Sequence, residues 1–238
     1  GKHVLCESPI ALDCKQWEEL KQLGTERKLV LMDSIKTAYS MAYHRLRLLV
    51  KGGIVGDIVS VDATCTSLLD FDPTQDSSRS LYEGNSICAW GPTALLPIFQ
   101  MLGTNYLRKD ILTRFADDKH RYDAFTKIAF VYPHAVASLK VGQGVKSEGE
   151  LVISGTKGYI YVPAPWWKTE YFEVRYENPQ NNKRYFYQLD GEGLRYELLT
   201  FFKAISTGSN FTYVSDDISH SITQIIEDFY AQRDMTII

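Results

Sequence analysis

At 238 residues, with 45% hydrophobic and 13% aromatic content, the chain is long enough to bury a substantial core, as one large domain or one domain plus part of another. A formal net charge of −3 and a pI near 6.0 argue against a dominant nucleic-acid or anionic-membrane surface, and His44-Arg45-Leu46-Arg47 reads as a solvated helix face. No run approaches the ~18 apolar residues of a membrane span, and no charged-then-apolar leader is read at the start.

The first residues, His3 to Cys6, form a short apolar run that stops at Glu7-Ser8-Pro9, as a late strand of a parallel sheet does where it meets a ligand cleft. Asp13 is placed to cap a helix carrying Trp17, Leu20 and Leu23, Gly24 lies near its end, and Leu29 to Met32 form a second strand. This strand, helix and strand make one α/β unit, expected to be a remnant of a dinucleotide-binding domain over residues 1–35. A helix is predicted over 39–51, closed by Gly52-Gly53. Beyond Gly56, β-branched and aromatic residues predict strands near 57–68, 110–116, 123–132, 134–142, 149–154, 158–162, 169–177 and 183–188. Pro133-His134 and Gly155 to Gly158 are short turn signals that favour antiparallel hairpins. Helices are predicted over 92–102, with Pro92 at its start, and over 192–206 and 216–233.

The expected fold class is α+β: a large, mostly antiparallel sheet with helices on one face over residues 36–238, preceded by the partial parallel α/β unit. Helices are too few to cover both faces of so broad a sheet, so the aromatic-rich open face is expected to make a homo-oligomer. Cys6, Cys14, Cys65 and Cys88 show no Cys-x-x-Cys pair and no zinc-ligand spacing, so they read as free thiols in a reducing cytoplasm, with no metal expected. Asp70, Asp72 and Asp76 read as a polar loop, since the order of a calcium loop is absent. His44, His120, His134 and His220 show no identifiable partner.

The opening segment Gly1 to Pro9 resembles Gly-Lys-His-Val-Leu-Cys-Glu-Lys-Pro of the Gfo/Idh/MocA family of nicotinamide-dependent sugar and polyol oxidoreductases. Gly53-Ile54-Val55-Gly56-Asp57-Ile58 is similar to the family's step from helix into its first long C-terminal strand. Gly149 to Gly158 resembles its Gly-Thr-x-Gly hairpin, and Gly193-Leu194-Arg195-Tyr196-Glu197 followed by Phe201-Phe202 its helix opening. The resemblance covers most of the chain and implies a substrate pocket for a sugar-like ligand, with Glu7 and Pro9 as residual cofactor contacts. The family's Gly-x-Gly-x-x-Gly motif is absent from these 238 residues. The chain alone is therefore expected to bind no cofactor, whereas a preceding dinucleotide domain would bring NAD or NADP.

The resemblance also locates the chemistry. The family uses the lysine of Glu-Lys-Pro, where this chain has Ser8, and an aspartate and a histidine on a glycine-rich segment, where Gly84 to Leu96 places Ala89 and Thr93. The alternative histidine position is Leu96. A serine cannot relay a proton as an ammonium does, so the catalytic positions are expected to be degenerate. Lys36, after the second strand, offers an amine from another backbone position, and Tyr82 and Glu83 are candidates for lining the pocket. Trp166, Trp167 and Lys168, on a proline-shaped loop, are candidates for stacking on a sugar ring and bonding an anion, or for capping the sheet or filling a subunit interface. Three functions are carried forward: a sugar-binding or dimerising domain with degenerate catalysis, a fragment of an active oxidoreductase, and a non-catalytic scaffold or regulator.

Overall fold

A computed structural model describes residues 1–68, 85–117, 122–208 and 212–238. Tyr82, Glu83, the three loop aspartates and His120 lie outside the described residues.

The α/β unit forms as its apolar runs require. Strands β1 (Val4–Glu7) and β2 (Leu31–Ser34) pair in parallel, joined by helix α1 (Cys14–Glu26), whose first turn is capped by Asp13 accepting from the Gln16 N–H at 2.8 Å. A 3₁₀ turn (Lys36–Tyr39) leads into α2 (Met41–Lys51), capped by Ser40.

The remaining strands are β3 (Ile58–Thr66), β4 (Arg108–Asp117), β5 (Tyr122–Val131), β6 (Val136–Gly142), β7 (Leu151–Gly155), β8 (Tyr159–Val162), β9 (Tyr171–Arg175), β10 (Lys183–Phe186) and β11 (Met235–Ile237). They form one nine-stranded sheet in the order β10-β9-β8-β7-β3-β6-β5-β4-β11. Most neighbours are antiparallel, as expected, but β3 with β6 and β4 with β11 are parallel. The central pairing of β3 with β6 was not foreseen, because turn signals report only on consecutive strands. Helix α3 (Ser86–Leu102) lies across β3, β6 and β5, while α4 (Leu194–Thr207) and α5 (Asp216–Tyr230) follow late in the chain.

Alternate residues of each strand face α3: Val61, Ala63 and Cys65, Leu139 and Val141, and Ile128 and Phe130 are buried against Leu95, Leu96, Ile98 and Phe99. The opposite register puts Tyr159, Tyr161, Tyr171, Arg175 and Phe186 on the other face, where the Arg175 guanidinium lies 4.6 Å from the Tyr161 ring centre and Phe186 is 73% exposed.

Two boundaries differ from expectation. The third helix begins at Ser86, six residues before Pro92, because its first turn is tied to β5: the Asp123 carboxylate accepts from the leading Ile87 N–H at 3.1 Å, and the Asn85 amide oxygen accepts in return from the Asp123 N–H at 2.8 Å. Pro92 therefore sits inside the helix. The last helix stops at Tyr230 instead of continuing to Arg233, and Gln232 and Asp234 take left-handed backbone angles. Lys109 holds this turn, with Nζ 2.8 Å from Asp228 and 2.7 Å from Asp234, so the following residues join the sheet as β11.

The α/β unit docks on α5. Trp17 Nε1 donates to Ser219 Oγ at 2.9 Å, Ser219 donates to Asp33 Oδ2 at 2.6 Å, and the Cys14 N–H donates to Glu227 at 2.8 Å.

Candidate active site

Parallel strands end at β1 and β2, and the crevice beyond their carboxyl ends is where α/β sheets place ligands. A cavity of about 300 Å³ opens there, lined by residues from separate stretches of sequence. Glu7 and Ser8 come from the end of β1, and Ser34 to Thr37 from the end of β2 and the turn after it. Ala89, Trp90, Pro92 and Thr93 come from the first turns of α3. Trp167 and Lys168 come from a 3₁₀ turn between β8 and β9, and Glu192 from the turn before α4.

Two contacts join these walls. Thr37 Oγ1 donates to the Trp167 carbonyl at 2.9 Å, and the Trp90 and Trp167 rings lie 4.8 Å apart, giving an aromatic wall. At the Glu192 turn, Gly191, Glu192 and Gly193 all have positive φ. Gly193 is required twice over: its φ is +88°, and a Cβ there would sit 2.4 Å from the Lys36 carbonyl oxygen. The turn is thus pressed onto the Lys36 backbone, which carries Glu192 to the cavity and into an ion pair with Lys168.

Two buried carboxyls lie close to the Ser8, Ser34 and Lys36 side of the lining. Asp33 is 5% exposed, and burial pushes its carboxyl up to about 6 against the opposing hydrogen bond from Ser219. Glu197, in the first turn of α4, is 0% exposed, and burial pushes it up to about 7. The Ser8 hydroxyl lies close enough to Asp33 to favour its charge, yet Ser8 Oγ, Asp33 Oδ1 and both Glu197 oxygens complete no hydrogen bond of ordinary geometry. The thiols are held in the neutral form, burial pushing Cys14 to about 12 and Cys88 to about 11, so neither is a nucleophile near neutral pH.

Of the residues singled out in the sequence, Glu7, Ser8, Lys36, Ala89, Thr93, Trp167 and Lys168 are brought together at this cavity. Pro9 instead borders an adjoining trough of about 440 Å³ with Ile10 to Leu12, Gln16, Cys88 and Ala89. Its mostly apolar lining provides no phosphate cradle, so these residues do not by themselves fit a dinucleotide. Trp166 is corrected: it does not face the cavity but is fully buried, donating Nε1–H to the Thr64 carbonyl at 3.0 Å. Leu96 is likewise a core residue. Sequence reasoning missed Trp90, Glu192 and the buried pair Asp33 and Glu197. The Gly-Glu-Gly step at 191–193 was the available signal for Glu192. Among the described residues no cluster of His, Cys, Asp and Glu is arranged to hold a metal ion, and no helix is long and apolar enough to cross a membrane.

The architecture is shared with solved structures of oxidoreductases. The whole chain superposes on 73% of the 3-ketoreductase KijD10 of Actinomadura kijaniata, solved with NADP and TDP-benzene, with a TM-score of 0.82 at 15% identity. An aldose-aldose oxidoreductase of Caulobacter crescentus, complexed with glycerol, matches 97% of this chain and 69% of its own with a TM-score of 0.82 at 19% identity. At such identities the likeness establishes the fold. In sequence, 66 residues are 36% identical to the dTDP-3,4-didehydro-2,6-dideoxy-alpha-D-glucose 3-reductase of Streptomyces violaceoruber, covering 28% of this chain and 19% of that enzyme. No protein-family model matches the chain.

Proposed function

We propose that this chain is the substrate-pocket and assembly portion of a Gfo/Idh/MocA-type protein. Residues 1–35 are the last strand, helix and strand of a dinucleotide domain, and 36–238 are the C-terminal domain. The observation that carries the reading is the convergence of Ser8, Ala89 and Thr93 on one cavity with an aromatic wall. Those are the positions at which the family resemblance calls for lysine, aspartate and histidine, so the cavity binds a sugar-like molecule without the usual proton-transfer groups. The relatives named above, one a 3-reductase acting on a dTDP-sugar and others solved with NADP or glycerol, support the sugar and NAD(P) setting. NAD or NADP would be held by a dinucleotide domain outside these residues.

Titrated calorimetrically with NADPH and NADP⁺, the 238-residue chain should give no saturable binding in the micromolar range, and micromolar affinity for either would overturn this division of labour. A second reading is favoured by one observation: Lys36 lines the same cavity as Ser8, so an amine is present although its backbone position has moved. If Lys36 performs the proton transfer, a protein complete for NAD(P) should reduce a keto-sugar, and Lys36→Ala should cut kcat by ~10²–10⁴-fold. Unchanged kcat in that variant would remove the second reading.

The uncovered sheet face is proposed as the surface on which two copies associate, since exposed Phe186, Tyr159 and Arg184 stand there beside half-buried Tyr161, Tyr171 and Arg175, a composition enriched at interfaces. Sedimentation velocity should show a dimer that Phe186→Lys shifts toward monomer. A strict monomer at all concentrations would count against the assembly role.

A further inference from the structure

The cavity's charged residues point to the chemical character of its ligand. Two ammonium groups, Lys36 and Lys168, share the lining with the Trp90–Trp167 wall. Lys168 is met by Glu192, and Lys36 is near enough to help hold the Glu192 carboxyl below its ordinary range. Glu192 reaches this position at a cost, since it is a non-glycine residue with φ +52° between two left-handed glycines, and such strain recurs at ligand clamps. Its side chain and that of Lys168 are both about half exposed (49% and 46%), the situation in which an ion pair contributes little to stability. A strained backbone that delivers a carboxylate into a weak, exchangeable ion pair has little value as a fold-stabilising device. It does keep an anion beside both lysines at the edge of a sugar-sized cavity.

We infer that the cavity is built for an anionic sugar, one bearing a carboxylate or a phosphate, and that Glu192 is an internal stand-in for that anion at Lys168 and Lys36. This rests on the sugar-pocket reading above and adds the charge of the ligand to it. The neighbouring glycines give the stand-in a hinge: Gly191 has open space around its Cβ position, so the turn can rotate Glu192 outward while Gly193 stays pressed on Lys36. Glu7 also lines the cavity, but at the end of β1, where it is exposed and makes no ion pair among the described residues. A ligand anion would therefore exchange with Glu192 without displacing Glu7 from any partner.

The test is calorimetric titration of the 238-residue chain with D-glucose, D-glucuronate and D-glucose 6-phosphate, with tryptophan fluorescence as a second readout. At least one anionic sugar should bind ~10-fold or more tightly than glucose, a difference expected for one charge-assisted contact. Glucuronate against the phosphate tells which anion is meant. Glu192→Gln should tighten the anionic sugars several-fold and leave glucose unchanged, whereas Lys168→Ala should erase the preference. Both variants should keep the parent's melting temperature to within a few degrees, as loss of a surface pair implies. Equal binding of all three sugars, or weaker anion binding by Glu192→Gln, would overturn the inference and leave the sugar pocket standing. No binding of any of the three would overturn both.

Discussion

Raising the pH from about 5 to about 8 should destabilise this protein, the reverse of acid denaturation. Asp33, Glu197 and Asp123 are buried carboxyls lifted from ordinary values of 3.8, 4.5 and 3.8 to about 6, about 7 and about 7, in each case mainly by burial. Between the unfolded and folded values the native state holds more protons than the unfolded chain, so stability falls as pH rises through that window. Above about pH 7 the native state must carry these charges inside, at a cost on the order of 3 kcal/mol for each group. Urea unfolding near pH 5 and near pH 8 measures the difference directly. Glu197→Gln should flatten the slope and raise stability at the alkaline end by ~2 kcal/mol, because a neutral amide replaces a buried ion that the nearby Ser34 hydroxyl offsets only in part, with no hydrogen bond of ordinary geometry to either oxygen. Stability that rises between about pH 5 and about pH 8 would show that these groups are solvated.

The adjacent tryptophans should separate into a structural residue and a binding residue. Trp166→Ala should cost ~3–5 kcal/mol, since it removes a fully buried indole together with its bond to the Thr64 carbonyl. Trp167→Ala should cost ~1–2 kcal/mol, because that ring is only partly buried, resting on Gly149 and Trp90 at the cavity wall. The same variant should lose most of the sugar-induced fluorescence change. Chemical denaturation of the two variants side by side decides this, and equal costs would mean that both rings belong to the core.

The sequence could not assign these two roles. In a 3₁₀ turn successive side chains point about 120° apart, so neighbouring identical residues face different environments that no local pattern records. Strand positions were readable because a period of two marks which residues face α3: Val61, Ala63 and Cys65 alternate with polar neighbours as a half-covered sheet requires. The cavity was readable in part because Ser8, Lys36, Ala89, Thr93 and Lys168 each stand in a motif or at an element end. Features set by partners far along the chain were not. The start of α3 depends on Asp123, and the turn into β11 depends on Lys109. Glu197 could not be read as a buried acid, because its seclusion comes from how α4 sits beyond the ends of β1 and β2.

The docking of α1 on α5 has a consequence for how the protein is made. Trp17 and Ser219 are 202 residues apart in sequence, so the segment that supplies Glu7 and Ser8 finds its partner only after nearly all the other described elements have been synthesised. Such a separation makes closure of the cavity a late step, slow relative to the local hairpins β5–β6 and β7–β8. On the ribosome, the large sheet has most of its strands before α5 emerges and the α/β unit can dock on it.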